Sequence, residues 1–496
     1  MRMTSRNIRR LGPIVASFAV IVLLTGAVVP LNAVPRDRVL VAGDPYFLAG
    51  VNYPWRTYQD FGTGAWGHSG ISAPTTRAEV ETDFANMAAR GVRVVKWRIF
   101  NDGRYSPEFD EQGYVTGLDD MFFEDVDAAL EIAEKYDIYL VFTLFSSGLW
   151  ISGCEREGVR FGGHADVLAD AGKRRSLVQE AVIPFLRHVG RNPRVLAYEI
   201  IAEPEWGIVE LNPDEDGRVK VPLAGARALI KDIAQAVHFY SGALATVESN
   251  RARHMRAWRG LDLDYYTFSW YDWLEPYDPL DQPASAHGVD RPVVIGEFPV
   301  AESKYYDLEQ VLEIAKHQGY AGAFGWSYWG GDHYGQFNEV SERYVAWMRD
   351  NWRQVNVGRG PLPEPGAPLL PLPYTAFIRQ LAGSGDRLSL EVEVQIRDGG
   401  DYRLQFFLQE LGNQSYRTLV ERETAFGPNG AVRFKITFLG LEDARPYKIN
   451  LGLFDATWNL RKWFDGLTIV YMEGGSIAPP DLSPQALEDP CYEAKR

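Results

Sequence analysis

The sequence predicts an α/β fold, a (β/α)8 barrel followed by a small antiparallel β-sandwich. Three observations carry this prediction. Eight short apolar runs alternate with amphipathic stretches between residues 46 and 331. A Pro-rich segment, "GRGPLPEPGAPLLPLPYTAF", then interrupts the chain. Beyond it the pattern changes to apolar and polar residues in alternation, separated by turn signals.

The eight runs are "YFLAGVNYPW" (46–55), "GVRVVKWRIF" (91–100), "DIYLVFTLFS" (137–146), "RVLAYEIIAEPEW" (194–206), "GALATVES" (242–249), "DYYTFSWYDW" (264–273), "RPVVIGEFPV" (291–300) and "YAGAFGWSYWGG" (320–331). Each is rich in β-branched or aromatic residues and lacks strict alternation, as strands covered on both faces do. Between them, "TRAEVETDFANMAARG", "FFEDVDAALEIAEKYD", "SLVQEAVIPFLRHVGRNP", "AGARALIKDIAQAVHFY" and "DLEQVLEIAKHQG" carry apolar residues at helical spacing. Gly91 reads as a helix stop. A doubly wound open sheet competes, but eight units and the lack of a Gly-rich phosphate turn weigh against it. The expected organisation is a leader at 1–33, a barrel at 40–355, a stiff Pro-rich linker at 356–374, a sandwich at 375–475 and a tail at 476–496.

The chain of 496 residues is 46% hydrophobic, enough for a sizeable core. Aromatics reach 13%, with 14 Trp, more than core packing alone asks for; flat rings also suit the apolar faces of ligands. A formal charge of −15 argues against nucleic acid as a partner. Cys154 and Cys491 could form one disulfide but are neither a disulfide framework nor a metal site. The basic "MRMTSRNIRR" precedes an uncharged apolar run and "PLNAVP", the pattern of a signal peptide or an uncleaved membrane anchor. Either exports the body of the protein, to the outside or to the outer face of the cytoplasmic membrane. Oligomeric state is not legible.

In such barrels chemistry sits at the C-terminal ends of the strands. There the fourth run ends in Glu203-Pro204-Glu205 and the seventh reaches Glu297. The second ends with Arg98, the sixth with Tyr271 and the eighth with Trp326. Two carboxylates converging on one mouth is what glycoside hydrolysis needs, one to protonate the leaving oxygen and one to attack the anomeric carbon or activate water. Burial or an acidic neighbour raises the pKa of the first, while donors such as Arg and Tyr favour the charged form of the second.

"YEIIAEPEW" with "VVIGEFP" resembles the clan A glycoside hydrolases, and most of all family 5, the cellulases and mannanases, over roughly residues 45 to 352. The resemblance implies that Glu203 is the acid/base and Glu297 the nucleophile. It also implies that Tyr271 hydrogen-bonds the nucleophile, that Arg98 matches the family's strand-2 Arg, that Trp326 is a sugar platform, that the partner is a carbohydrate, and that neither cofactor nor metal is needed; Arg98 and Tyr271 are candidate substrate contacts, and Arg98 reads equally as a buried structural partner of Glu297. Two departures stand out: the family's Asn before the acid/base is Ala202 here, and its strand-6 His is Ser269. "VFTLFSS" also lacks the His often found on the third strand.

Bland readings accompany these. Glu199 reads as a structural ion-pair member inside the barrel, and Glu205 as a neighbour that could itself be the acid/base. Trp206, Trp150 and Trp55 are candidate substrate contacts; with Trp66, Trp270, Trp273 and Trp329 they divide between groove and packing. His333 is a candidate sugar contact, and the Asn413 sequon matters only in a eukaryote. Ala202 and Ser269 keep a second reading open, a carbohydrate-binding protein without activity on a hydrolase scaffold. The sandwich, with Tyr416, Trp458, Trp463 and Phe464, reads as either a carbohydrate-binding or a structural module.

Overall fold

In a computed structural model, the described residues run from 36 to 478, apart from 58–59, 65–66, 69, 151–152, 157–158, 214–218, 330–333, 338–341, 411–415, 443–444, 465–467 and 472–476. The leader segment, Trp66, His333, Asn413 and Cys491 lie outside them. Eight parallel strands close a barrel: β1 (Leu48–Tyr53), β2 (Val94–Arg98), β3 (Tyr139–Ser146), β4 (Val195–Ala202), β5 (Leu244–Ser249), β6 (Tyr266–Ser269), β7 (Val293–Pro299) and β8 (Gly322–Trp326). β8 pairs with β1, Gly322 opposite Leu48, so no strand edge is left open. Nearly every strand residue is buried, which is why the runs showed no alternation.

Helices α1 (Pro74–Ala89) and α2 (Phe122–Lys135) follow β1 and β2. Pro74 at the first turn starts α1, and Gly91 with φ 85° ends it, a conformation that suits a residue without Cβ. After β3, a π-helical turn at Leu177–Val182 leads into α3 (Ile183–Val189). α4 (Leu223–Ala236) follows β4. Among the described residues only short 3₁₀ turns follow β5 and β6. α5 (Leu308–His317) starts with a reciprocal cap, in which the Asp307 side chain accepts from Gln310 N and the Gln310 side chain accepts from Asp307 N. α6 (Glu342–Asp350) follows β8. Cys154 is disulfide-bonded; the expected pairing with Cys491 lies outside the described residues.

The Pro-rich segment is pinned along the barrel. Arg93 donates to Pro361 O at 3.2 Å, and Arg349 donates to Pro363 O. Asn86 and Leu370 exchange two hydrogen bonds at 2.8 and 2.9 Å. Beyond it, β9 (Tyr374–Ser384), β10 (Arg387–Ile396) and β13 (Gly430–Leu439) form one antiparallel sheet. β11 (Gly400–Glu410), β12 (Tyr416–Phe426), β14 (Arg445–Asp455), β15 (Leu460–Phe464), β16 (Thr468–Tyr471) and β17 (Ile477–Ala478) form the other. Their facing sides bury Leu388, Leu390, Val394, Phe406, Ile436, Phe438 and Leu453, each contributing about 1.5–3 kcal/mol on burial.

Candidate active site

Glu203 stands immediately beyond β4 in left-handed backbone, φ 53° and ψ 50°. That conformation costs a residue with a Cβ about 1–2 kcal/mol. Pro204 follows, and Glu203 N donates to Glu248 O on β5 at 2.9 Å, so the turn is held at both ends. Trp206 Nε1 donates to Glu203 Oε2 at 2.8 Å. The Glu203 carboxyl is raised above its ordinary range, first by burial and then by the charge of Glu297. Ser269, Trp206 and Arg98 pull in the other direction. Ser269 Oγ is buried and finds no well-aligned hydrogen-bond partner.

Glu297 lies in β7 with only 4% exposure. Tyr271 OH donates to its Oε2 at 2.8 Å, and Arg98 Nη2 donates to its Oε1 at 3.2 Å. The two glutamates expected from sequence thus reach one mouth in different settings: Glu203, partly exposed, feels the charge of Glu297 and accepts from Trp206, while Glu297 is buried among the donors Tyr271 and Arg98. Tyr271 is itself raised well above a normal phenol, by burial and by Glu297 and Glu203.

Beneath the pair lies a charged cluster that sequence reasoning missed. Lys96 Nζ is 2.8 Å from Glu248 Oε1, 3.2 Å from Glu199 Oε1 and 3.8 Å from Glu297 Oε1. Glu199 also accepts from Thr143 at 2.9 Å and Thr267 at 3.2 Å, which gives this strand acid the structural ion pair expected of it. Glu248 is raised well above the carboxylate range by burial and by Glu199 and Glu297, against the pull of Lys96. The signal was present: Lys96 and Arg98 are two residues apart on β2 and so share its inward face, and Glu248 sits near the end of β5. Gly296 makes room for this cluster, since a Cβ there would sit 2.1 Å from Glu248 Oε1.

The remaining candidates divide. The Arg98 guanidinium lies 4.9 Å from the Trp326 ring centroid and 5.9 Å from that of Trp55, and all three are partly exposed. Trp206 is partly exposed too, its ring 6.5 Å from that of Trp273, which is 43% exposed. Trp150 does not reach the mouth surface: it is fully buried, and its ring fills the space beside Gly207. Trp270 is fully buried as well. Glu205 is fully buried, its Oε1 accepting from Trp258 Nε1 at 2.9 Å and its Oε2 from Asn250 N at 3.0 Å. Burial pushes it up to about 7, but it serves the packing of the loop. Ala202 is 2% exposed, between Ser146 of β3 and Glu248 of β5. Asn101, with φ 40°, places an amide beyond the end of β2, which pairs with β3; its Oδ1 accepts from Ser146 Oγ at 3.2 Å, and its Nδ2 finds no partner. Among the described residues, no group of three His, Cys, Asp or Glu could hold a metal.

No protein-family model matches the chain. Two curated relatives are mannan endo-1,4-beta-mannosidases. That of Mytilus edulis is 24% identical over 355 residues, covering 63% of this chain and 92% of the relative. That of Cryptopygus antarcticus is 24% identical over 327 residues, covering 58% and 81%. Among solved structures, the beta-mannanase of the blue mussel Mytilus edulis superposes with a TM-score of 0.54 at 22% identity, covering 65% of this chain and 99% of that one. The beta-1,4-mannanase of the sea hare Aplysia kurodai does so at 0.54 and 21%, covering 66% and 97%; these two likenesses are likenesses of fold. Closed barrel and relatives together make the chain an O-glycosyl hydrolase, one that resembles those of clan A. Within that clan it resembles family 5, as the strand-end motifs implied.

Proposed function

We propose that the chain is an exported, retaining, endo-acting hydrolase of β-1,4-mannan or a close β-glycan relative, with Glu203 as acid/base and Glu297 as nucleophile. The observation that carries this reading is the difference in setting between the two glutamates. Glu203, raised by burial and by Glu297, is disposed to hold the proton that the leaving oxygen must receive. Glu297 attacks the anomeric carbon as the glycosidic bond breaks, and a glycosyl ester forms. That ester removes the negative charge that raised Glu203, so Glu203 becomes a better base for the incoming water. Water attacks the same carbon, Glu203 takes its proton, and the Glu297 carboxylate is released with the configuration retained. Tyr271 and Arg98 orient Glu297 throughout. The scheme uses no cofactor and no metal.

The relatives' substrate supplies the mannan reading. Partly exposed tryptophans on both flanks, Trp55 and Trp326 by Arg98 and Trp206 and Trp273 beyond Glu203, suit a chain that continues past the cut in both directions. The N-terminal basic and apolar segment supports export.

The test is hydrolysis of a soluble β-1,4-mannan, followed by viscosity and by NMR of the first-formed anomer. Rapid loss of viscosity, a β-anomer first, and no turnover in Glu297→Ala support the reading; an α-anomer first defeats retention. Ala202 and Ser269 favour a second reading, binding without turnover. Binding to mannan that is unaffected by Glu297→Ala, in a chain that hydrolyses nothing, is its signature.

A further inference from the structure

We infer that the C-terminal sandwich helps to shape the substrate groove through Lys462, a positioning residue that acts on the loops after β1 and β8 by way of two buried carboxylates on α1. The inference rests on the barrel mouth being the site of hydrolysis proposed above.

Glu79 and Asp83 lie one turn apart on α1, and each is 1% exposed. From the sandwich side, Lys462 on β15 places Nζ 2.9 Å from Glu79 Oε1 and 3.0 Å from Oε2. From the barrel side, Arg56 Nε is 2.9 Å from Glu79 Oε2 and 3.8 Å from Asp83 Oδ2. Arg56 directly follows Trp55, and its guanidinium lies 4.4 Å from the Trp329 ring centroid. Trp329 Nε1 closes the circuit by donating to Asp83 Oδ2 at 2.6 Å, where Tyr53 OH, at the end of β1, also donates at 2.7 Å.

Carboxylates at this spacing on one helix repel, and burial strengthens the repulsion. Two cations, one from each part of the chain, make the pair tenable. Without Lys462, Glu79 and Asp83 share Arg56 alone. The guanidinium is then drawn toward Glu79, away from its place over Trp329, and the segments carrying Trp55 and Trp326–Trp329 lose a common anchor. Asp83, already pushed up to about 7 by burial, has little margin for this. A second contact between the sandwich and α1 provides a control. Arg397 Nη1 donates to Thr82 Oγ1 at 2.7 Å, touching neither carboxylate.

Groove residues bind substrate alike in ground and transition states, so their displacement raises KM and spares kcat. The full-length chain is compared with Lys462→Met, Lys462→Arg and Arg397→Met on β-1,4-mannohexaose, with thermal melts alongside. Expected is a KM about tenfold higher in Lys462→Met at nearly unchanged kcat, recovery in Lys462→Arg, and a wild-type KM in Arg397→Met whatever its melting temperature. Lys462→Met with a wild-type KM, or a rise of equal size in both Met variants, overturns the inference. A wild type that neither binds nor cleaves mannan overturns the functional reading and takes this inference with it.

Discussion

Lys96 Nζ lies 3.8 Å from Oε1 of Glu297, on the buried floor of the barrel mouth. The same ammonium serves Glu199 and Glu248, so one cation lies against three acids, sharing Glu297 with Arg98. Lys96→Met leaves those acids facing one another in a water-poor interior. We expect about 3–5 kcal/mol lower unfolding free energy in denaturant titration. In the fraction that remains folded, kcat/KM should fall about 100-fold or more.

Trp206 Nε1 donates to Glu203, a bond that favours the charged carboxylate and so opposes the rise caused by burial. Trp206→Phe removes the donor and raises Glu203 further. As the proposed acid, Glu203 has to start protonated, so the alkaline limb of kcat/KM should move to higher pH, by up to about one unit. A limb that stays in place, or moves down, contradicts the acid/base assignment.

Glu205 titrates at about 7 in the fold, against about 4.3 in an unfolded chain. A raised carboxyl contributes its stability below the unfolded value and loses it as pH rises toward the folded one. Between pH 4 and 7 the wild type should therefore lose a few kcal/mol that Glu205→Gln does not lose. Melting temperatures of the two proteins across that range check the sign, and activity should survive the substitution.

Tyr271→Phe deletes the hydroxyl bonded to Glu297 Oε2 and little else. We expect kcat to drop about 100-fold while the melting temperature barely moves. Steady-state kinetics with circular dichroism melts separate the two effects.

Gly296→Ala would place a methyl group 2.1 Å from Glu248 Oε1. The barrel floor cannot absorb it without displacing the lysine-linked acids, so a loss of about 1–3 kcal/mol and of most activity is expected. Soluble yield and chemical denaturation are the readouts.

The barrel was legible because strands buried on both faces leave unbroken apolar runs, and an acid ending such a run is conspicuous. Glu203 and Glu297 stood out for that reason, and Arg98 and Tyr271 by their matching places on other strands. Lys96 and Glu248 did not, because a polar residue within a run is indistinguishable from a local irregularity until eight strands bring the inward faces together. Tryptophans were the hardest to sort. Trp150 and Trp206 both follow strand ends, yet one is fully buried and the other borders the mouth, since exposure is decided by distant neighbours such as Gly207. The partners of Glu79 were equally illegible, Lys462 being 383 residues away.

The Pro-rich segment has a practical corollary for anyone cutting the gene into parts. Its carbonyls accept from Arg93, Arg349 and Asn86 on the barrel wall, Leu370 N donates to Asn86, and Gly366 N donates to Glu342 at 2.9 Å. An expression clone that stops after α6 would strip those partners away and uncover the wall they protect. The barrel is therefore not a portable cassette: a workable boundary must carry the strap along, and a chimaera that swaps the sandwich should be joined beyond residue 370, after the last of these contacts.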